Sequence, residues 1–441
     1  MSETENLDFY DVDKKNPYWF KLDNAATIYP AAKNRTWNAS FRLGIVLKEE
    51  VDGKLLQQAL DDVIKKIPTY QVQLRMGLFW YYFQRMDRTD VVEEESYYPC
   101  EKFNVIESDK PAIRVLYYKR RIAMEVFHSV ADGGSVNIAL KMIVARYLQL
   151  KGYEIAKSDL ILDYEEPLKE TQIEDSFQRF YTKDKPASRS EKKSYQYRPK
   201  DIKKNFMKTI HGIMPVADIK KVAKERGLTI TDYLLAVFLY ATYLDTKKPV
   251  YKPIKVSIPV SLRSRFGSDT MRNFSLYNNI GFEPDGRMGM SFDDIVNECK
   301  GQLEKGVEKS NLQAMLNKNV SDARNPFVRF LPIPIKMPAM KFGYGNMGEL
   351  YYVTSLTNIG LVKFPEDMQK HIDRVECLLG GTPYSPISVA VISDTEYMNL
   401  AITSYSDKRD IERHFFRFLA EQGVRIRIES STDDCEEEVN K

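Results

Sequence analysis

The chain has 441 residues, 43% of them hydrophobic, enough to build one large two-lobed unit or two domains. Lys plus Arg number 65 against 62 Asp plus Glu, and the net charge of +3 offers no electrostatic footprint for a nucleic-acid partner. The longest apolar run, Tyr233 to Leu244, is well short of the ~18 residues that suggest a membrane span, and the polar, acidic start Met1 to Glu5 is unlike a secretory signal. Cys100, Cys299, Cys377 and Cys435 lie far apart, with no spacing that suggests a zinc site, and read as reduced thiols of a cytoplasmic protein.

Residues 1–40 are polar with interspersed aromatics and show no period. Phe41, Leu43, Ile45 and Leu47 then alternate, which predicts a half-buried strand. Leu55, Leu56, Ala59, Leu60, Val63, Ile64 and Ile67 keep helical spacing until Pro68 ends the helix. Leu74 to Phe83 reads as a strand or a hairpin broken near Gly77. Residues 112–127 read as two strands around the basic turn Lys119-Arg120-Arg121, followed by a helix with Val136, Ala139, Leu140, Ile143, Tyr147 and Leu150 on one face. This is an α/β pattern of packed layers. From about Glu165 to Lys204 charged and polar residues dominate, which predicts a solvated crossover with one short helix.

Beyond it, Phe206 to Met214 is strand-like, and Pro215 opens a helix that Gly227 stops. Thr229 or Thr231 caps the next helix, through Leu244, and Ile254 to Pro259 forms a short strand. One amphipathic helix is expected from Phe292 to Val307. Prolines at 326, 332, 334 and 338 predict a long ordered loop from Asn325 to Phe342 in place of regular helix. Leu350 to Thr357 is strand-like, Val389–Ser393 and Met398–Thr403 make a hairpin, and a helix around Ile411 to Leu419 precedes a last strand from Val424 to Ile428. The expected organisation is a first lobe over 1–164, a charged crossover over 165–204, a second lobe over 205–429 and a disordered acidic tail over 430–441.

The chemistry concentrates at Glu125-Val126-Phe127-His128-Ser129-Val130-Ala131-Asp132-Gly133-Gly134-Ser135. A strand ends at a histidine, and a tight turn then leads into a helix N-terminus. Such a histidine can project into a cleft as a general base, with Asp132 reaching back across the turn to hold it. The glycines let backbone pass close by, and the helix N-terminus adds positive partial charge. The competing reading is an ordinary histidine before a turn. His211, His371 and His414 offer no rival base, and neither a Gly-x-Ser-x-Gly elbow nor a Walker loop occurs.

The string His128-x-x-x-Asp132-Gly133 resembles the HxxxDG signature of the CoA-dependent acyltransferase superfamily, which includes chloramphenicol acetyltransferase, BAHD enzymes, peptide-synthetase condensation domains and alcohol acetyltransferases. Ile258-Pro259-Val260-Ser261-Leu262-Arg263 and Thr270-Met271-Arg272-Asn273-Phe274 are similar to a Pro-Val-x-x-Arg and Arg-Asn-Phe arrangement in bacterial alcohol acetyltransferases and condensation domains. Phe127 stands where condensation domains usually carry a first histidine, and the Asp-Phe-Gly-Trp-Gly stretch of BAHD enzymes is absent. The likeness is therefore closest to bacterial alcohol acetyltransferase-like proteins, over about residues 30–428.

The resemblance implies an α/β, two-lobed chloramphenicol acetyltransferase-like fold, each lobe a mixed sheet with packed helices, and an active-site tunnel at the lobe interface. It implies His128 and Asp132 as catalytic-motif residues, Gly133 in the active-site turn, and Arg263 as the structural partner of Asp132. Ser355-Leu356-Thr357-Asn358-Ile359-Gly360 looks like the Ser/Thr-Asn-x-Gly stretch beside the family's channel, so Ser355, Thr357 and Asn358 are expected either as oxyanion donors or as a plain strand end. Asn273 is expected in a channel lining or a loop. The implied reaction moves an acyl group, such as acetyl, from acyl-CoA to an alcohol, with no bound cofactor and no metal. The alternatives are an amine acceptor, a carrier-protein thioester donor in peptide, lipid or polyketide assembly, or a catalytically silent binding protein of the same fold.

Overall fold

The structure is a computed structural model that describes residues 18–431 apart from 33–38, 87–90, 97, 102–104, 107, 185, 188–190, 203–206 and 383–384. The strands in chain order are β1 (Trp19–Lys21), β2 (Ser40–Leu47), β3 (Val72–Met76), β4 (Tyr81–Arg85), β5 (Glu93–Glu94), β6 (Ile113–Tyr118), β7 (Arg121–Phe127), β8 (Lys208–Pro215), β9 (Ile254–Ser261), β10 (Ser275–Phe282), β11 (Thr354–Leu361), β12 (Ile372–Leu379), β13 (Ile387–Ser393), β14 (Tyr397–Ser404) and β15 (Arg427–Ser430). They form three sheets, in the orders β12-β2-β7-β6-β5, β10-β9-β11-β13-β14-β8-β15 and β1-β4-β3. The two larger sheets are mixed. β5 runs parallel to β6 in the first, and β11 runs parallel to β9 and β13 in the second, while their other pairings are antiparallel.

The alternation in β2 sends Phe41, Leu43, Ile45 and Leu47 into one core with the helices Gly53–Ile64 and Gly133–Leu150. The other face of β2 is not solvated, as half-burial predicts, because all eight residues are buried. Arg42 on that face reaches Glu125 at 2.7 Å and Glu95 at 2.5 Å, and Arg114 also pairs with Glu125. An ion-pair network thus stands where water was expected, and burying such charges is tolerable only because each has a partner. The seven-stranded sheet carries a second core. The helices Ile230–Leu244 and Asp410–Glu421 cover it, with Phe238 against Phe415 at 6.3 Å.

β12 joins the first sheet, with Cys377 opposite Leu43, although its residue numbers fall in the second-lobe range. The second half of the chain therefore completes the sheet of the first half. The charged crossover holds two short helices, Glu170–Ile173 and Ser176–Arg179. The helix expected over Phe292 to Val307 is two helices, Phe292–Cys299 and Gln302–Gly306, broken where Gly301 takes φ +76°. Asn273 lies in the loop that leads into β10.

The proline-rich stretch is helical, contrary to expectation, over Pro326–Arg329 and Ile333–Met347. Pro326 is the first residue of its helix, Pro332 precedes the second, and Pro334 sits in that helix's first turn. A missing N–H costs little at those positions. Only Pro338 is interior. The acidic tail from Thr432 onwards, the expected second-lobe start at Asn205 and Phe206, and Cys435 lie outside the described residues. The described cysteines, Cys100, Cys299 and Cys377, are free and buried. No single helix among the described residues is long and apolar enough to cross a membrane.

Candidate active site

His128 is the first residue after β7, and its N–H donates to the Ala39 carbonyl at 2.8 Å. The chain then turns, with Val130 N–H bonded to Phe127 O at 2.8 Å and the Ser129 hydroxyl bonded to Ala26 O at 2.9 Å. Asp132 ends the turn as the N-cap of the helix Gly133–Leu150, accepting from Ser135 N–H at 3.2 Å. A carboxylate at an N-cap satisfies an orphan helix N–H and complements the helix dipole.

The rest of the Asp132 carboxylate faces the second half of the chain. Its Oδ2 accepts from Arg263 Nη1 at 2.9 Å and from Phe274 N–H at 2.8 Å. These bonds engage Asp132 with Arg263, Phe274 and Ser135, so the expected reach across the turn to the imidazole is not what its oxygens do. Arg263 also donates to Thr270 O at 2.9 Å, Arg272 O at 2.6 Å and the Ser135 hydroxyl at 2.5 Å. Burial alone would raise the Asp132 carboxyl, but the Arg263 charge and the N–H donors outweigh it and hold the group below the ordinary range.

The His128 ring stacks on Tyr29 at 4.3 Å and 13°, and meets Phe41 at 4.8 Å and 55°. Burial lowers its pKa below the ordinary value, opposed by its own backbone carbonyl, the Asp132 charge and the Asn273 carboxamide. The ring is therefore neutral at pH 7, the form a base needs. Nδ1 is buried and closes no hydrogen bond of standard geometry among the described residues, while part of the residue remains accessible.

Asn273 is buried beside this ring. Its Nδ2 donates to Ser129 O at 3.1 Å and to Asp23 Oδ2 at 3.2 Å, and its N–H reaches Asp23 Oδ2 at 3.3 Å. Donation from Nδ2 leaves Oδ1 as the acceptor, and that buried atom closes no hydrogen bond of standard geometry among the described residues. Asp23 is fully buried and pushed up to about 7, by desolvation first, with the Arg272 charge opposing and Asp175 adding to the rise. Sequence reading missed Asp23 and Tyr29. The available signal was Asp23 three residues before Ala26, whose N–H it caps at 2.7 Å.

On β11, Asn358 serves its own bulge. Its Nδ2 donates to Thr231 Oγ1 at 2.9 Å, and its Oδ1 accepts from Gly360 N–H at 2.9 Å. The Ser355 and Thr357 side chains share a strand face and are half-buried. The next residue, Ile359, reaches the histidine turn: a Cβ added at Gly133 would lie 2.5 Å from Ile359 Cδ1. Gly133 therefore marks close approach between the two halves. A cavity of about 370 Å³ lined by Glu191, Lys255 and Gln302 lies at the opposite end of β9 from Arg263 and is not the candidate site. Among the described residues, no cluster of three His, Cys, Asp or Glu side chains is placed to hold a metal ion.

No family model matches the sequence, and no curated protein matches it. Solved structures do. F. graminearum TRI101, solved with coenzyme A and T-2 mycotoxin, is similar at TM-score 0.60 and 8% identity, over 93% of this chain and 99% of that one. The TRI3 trichothecene 15-O-acetyltransferase of Fusarium sporotrichioides is similar at TM-score 0.56 and 10% identity, over 92% and 94%. The starter condensation domain of rhizomide synthetase, in complex with C8-CoA and Leu-SNAC, is similar at 0.51 and 12%, over 92% and 94%. The chain shares its two-lobed α/β fold with these solved structures. Acetyltransferases and condensation domains both fall within that likeness, which at these identities is one of fold.

Proposed function

We propose that the protein is an acyltransferase that moves an acyl group from acyl-CoA to an alcohol hydroxyl, with His128 as general base. The observation that carries this is a half-buried imidazole at the end of β7, stacked on Tyr29 beside a turn whose Asp132 is tied to Arg263 from the other half of the chain, and burial favours its neutral form. Burial of Nδ1 leaves Nε2 as the accessible nitrogen. The acceptor hydroxyl gives its proton to Nε2 as its oxygen bonds the thioester carbonyl carbon. The tetrahedral oxyanion then collapses, the C–S bond breaks, and the imidazolium returns the proton to the leaving CoA thiolate. The products are an ester and free CoA.

The Ser355 and Thr357 hydroxyls, on the strand face that leads to Ile359, are the proposed oxyanion donors. Asp132 and Arg263 shape the turn and shuttle no proton. Asn273, held by Asp23, orients the imidazole. The proposed organisation keeps the lobes over 1–164 and 205–429, with the substrate tunnel between them and β12 returned to the first lobe's sheet. Holding both substrates in a dry site supplies effective molarity, and a placed base adds roughly 10²–10⁴-fold. A reduced, cytoplasmic setting agrees with the free cysteines.

The fold likeness to a condensation domain supports a second reading, with a carrier-protein thioester as donor or an amine as acceptor. The test is thiol release from acetyl-CoA across a panel of alcohols and amines, run with wild type and His128→Ala. Alcohol-dependent release that the variant lacks supports the proposal. Equal release by both proteins, or none by either, refutes it, and release only from a carrier-bound thioester favours the second reading.

A further inference from the structure

The helix Ile333–Met347 poses a problem of solvation. Its sequence is apolar on all sides, a pattern that normally means burial in a core. Here much of that surface faces solvent. Phe327 is 89% exposed, Phe342 72%, Leu78 68% and Phe330 65%, and Ile335 is exposed as well. These side chains belong to one surface. Ile333 N–H donates to Leu78 O at 2.9 Å, and Phe330 lies edge-on to Phe79 at 6.4 Å. Buried Lys336 ties the helix to the β3–β4 turn, donating to Phe79 O at 2.7 Å and sitting 3.4 Å over the Trp80 ring. A contiguous apolar surface of this kind on a folded protein marks a contact site.

Its charge indicates the partner. From Ala323 to Gly348, and from Met76 to Met86, there is no Asp or Glu. Arg329 and Lys341 stand exposed within the patch and pair with no carboxylate among the described residues. The flanking acids are used elsewhere: Asp322 pairs with Lys318 at 2.6 Å, and Glu349 is buried. Aromatic and aliphatic side chains interspersed with unopposed cations match the boundary of an anionic bilayer, where apolar groups enter the acyl region and cations meet headgroup phosphates.

We propose that this patch docks the protein on the surface of an anionic lipid bilayer. The helix also packs on the turn Tyr29–Ala32, which carries Tyr29 onto His128, so a docked bilayer lies beside the candidate active site. Docking as such does not depend on the acyl-transfer reading, and its test involves no turnover.

The full chain is floated with phosphatidylcholine vesicles, with and without phosphatidylglycerol. Wild type should bind the anionic vesicles and bind the neutral ones much less, and added salt should weaken the anionic binding. Arg329→Ala and Lys341→Ala should each lower partitioning by roughly fivefold, the worth of one cation near an anionic surface. Phe327→Asp with Leu78→Asp should abolish binding at an unchanged melting temperature. Absence of binding to either vesicle, or variants that bind as wild type does, overturns the proposal. So does a dimer in light scattering that the Phe327→Asp, Leu78→Asp variant loses while wild type ignores vesicles, because the occupant is then a second copy of the chain.

Discussion

Arg263→Ala tests whether the turn at His128 depends on the bond between the two halves. In the wild type Asp132 Oδ2 receives Arg263 Nη1 at 2.9 Å, and both side chains are largely withdrawn from water. Removing the guanidinium leaves a buried carboxylate with only the Phe274 and Ser135 N–H donors, and leaves the Thr270 and Arg272 carbonyls to share the Ser135 hydroxyl at 3.4 Å. Stranding one member of a buried pair costs roughly 3–5 kcal/mol. Asp132→Asn should cost less, since an amide keeps an acceptor oxygen for those donors and Arg263 keeps its two carbonyls. The double variant removes the stranded charge and should therefore be more stable than Arg263→Ala alone, with a coupling of roughly 1–3 kcal/mol. Denaturant midpoints of the four proteins measure this. Single effects that add to within about 0.5 kcal/mol would show that the two groups are independent. The pH dependence is a second readout. Asp132 is depressed in the folded wild type, so its contribution is present at neutral pH and lost only as pH falls through its lowered value. In Arg263→Ala the same buried carboxyl is raised and folds more easily protonated, so the gap to wild type should narrow on acidification.

His128→Ala should remove acyl transfer by roughly 10²–10⁴-fold while changing the melting temperature little, and a large stability loss with residual turnover would mark the residue as structural. Because burial lowers the His128 pKa, the acid limb of kcat/KM should fall below the ordinary histidine value of 6.5; a limb above it contradicts the neutral, desolvated ring. Gly133→Ala meets only the terminal methyl of the flexible Ile359 side chain, so it should cost less than the ~1–3 kcal/mol of core overpacking, and a larger loss in unfolding measurements that Ile359→Ala relieves would show that this side chain cannot move. Asp23, raised to about 7 by burial, contributes stability that is full below the unfolded carboxyl value and is lost as pH rises through about 7. Asp23→Asn should flatten that fall in midpoint–pH curves, and an unchanged slope would place the titration elsewhere.

The parts of this site visible in the sequence are those where one residue type answers one local demand. The strand before His128 alternates, Asp132 is a helix cap, and Gly133 and Gly134 mark a turn, so the segment can be read without knowledge of the rest of the fold. Arg263 was reachable only through resemblance, because nothing local ties a residue at the end of β9 to a turn 131 positions away. Tyr29 and Asp23 were missed because single-turn helices have no period to detect. β12 was missed for a different physical reason. Its Arg374 and Glu376 interrupt the apolar alternation, yet they are paired inside the protein, with each other at 3.0 Å, with Glu429 at 3.1 Å and with Arg121 at 3.4 Å. The half-burial expected of β2 failed in the same way, through Arg42.

Both errors follow from taking charge to mean solvent, whereas the helix Ile333–Met347 was missed because proline was taken to exclude helix, although only Pro338 is interior. In β2 and β12 alike, the buried charge rests on a partner supplied by a distant part of the chain. The candidate site has the same character. The imidazole comes from the first half, while the Asn273 carboxamide beside it and the Arg263 cation that holds its turn come from the second. Neither half contains the whole candidate site, so under the proposed reading the chemistry lies at the seam between them. A substitution that loosens the seam, such as Arg263→Ala, should lower turnover even with His128 intact.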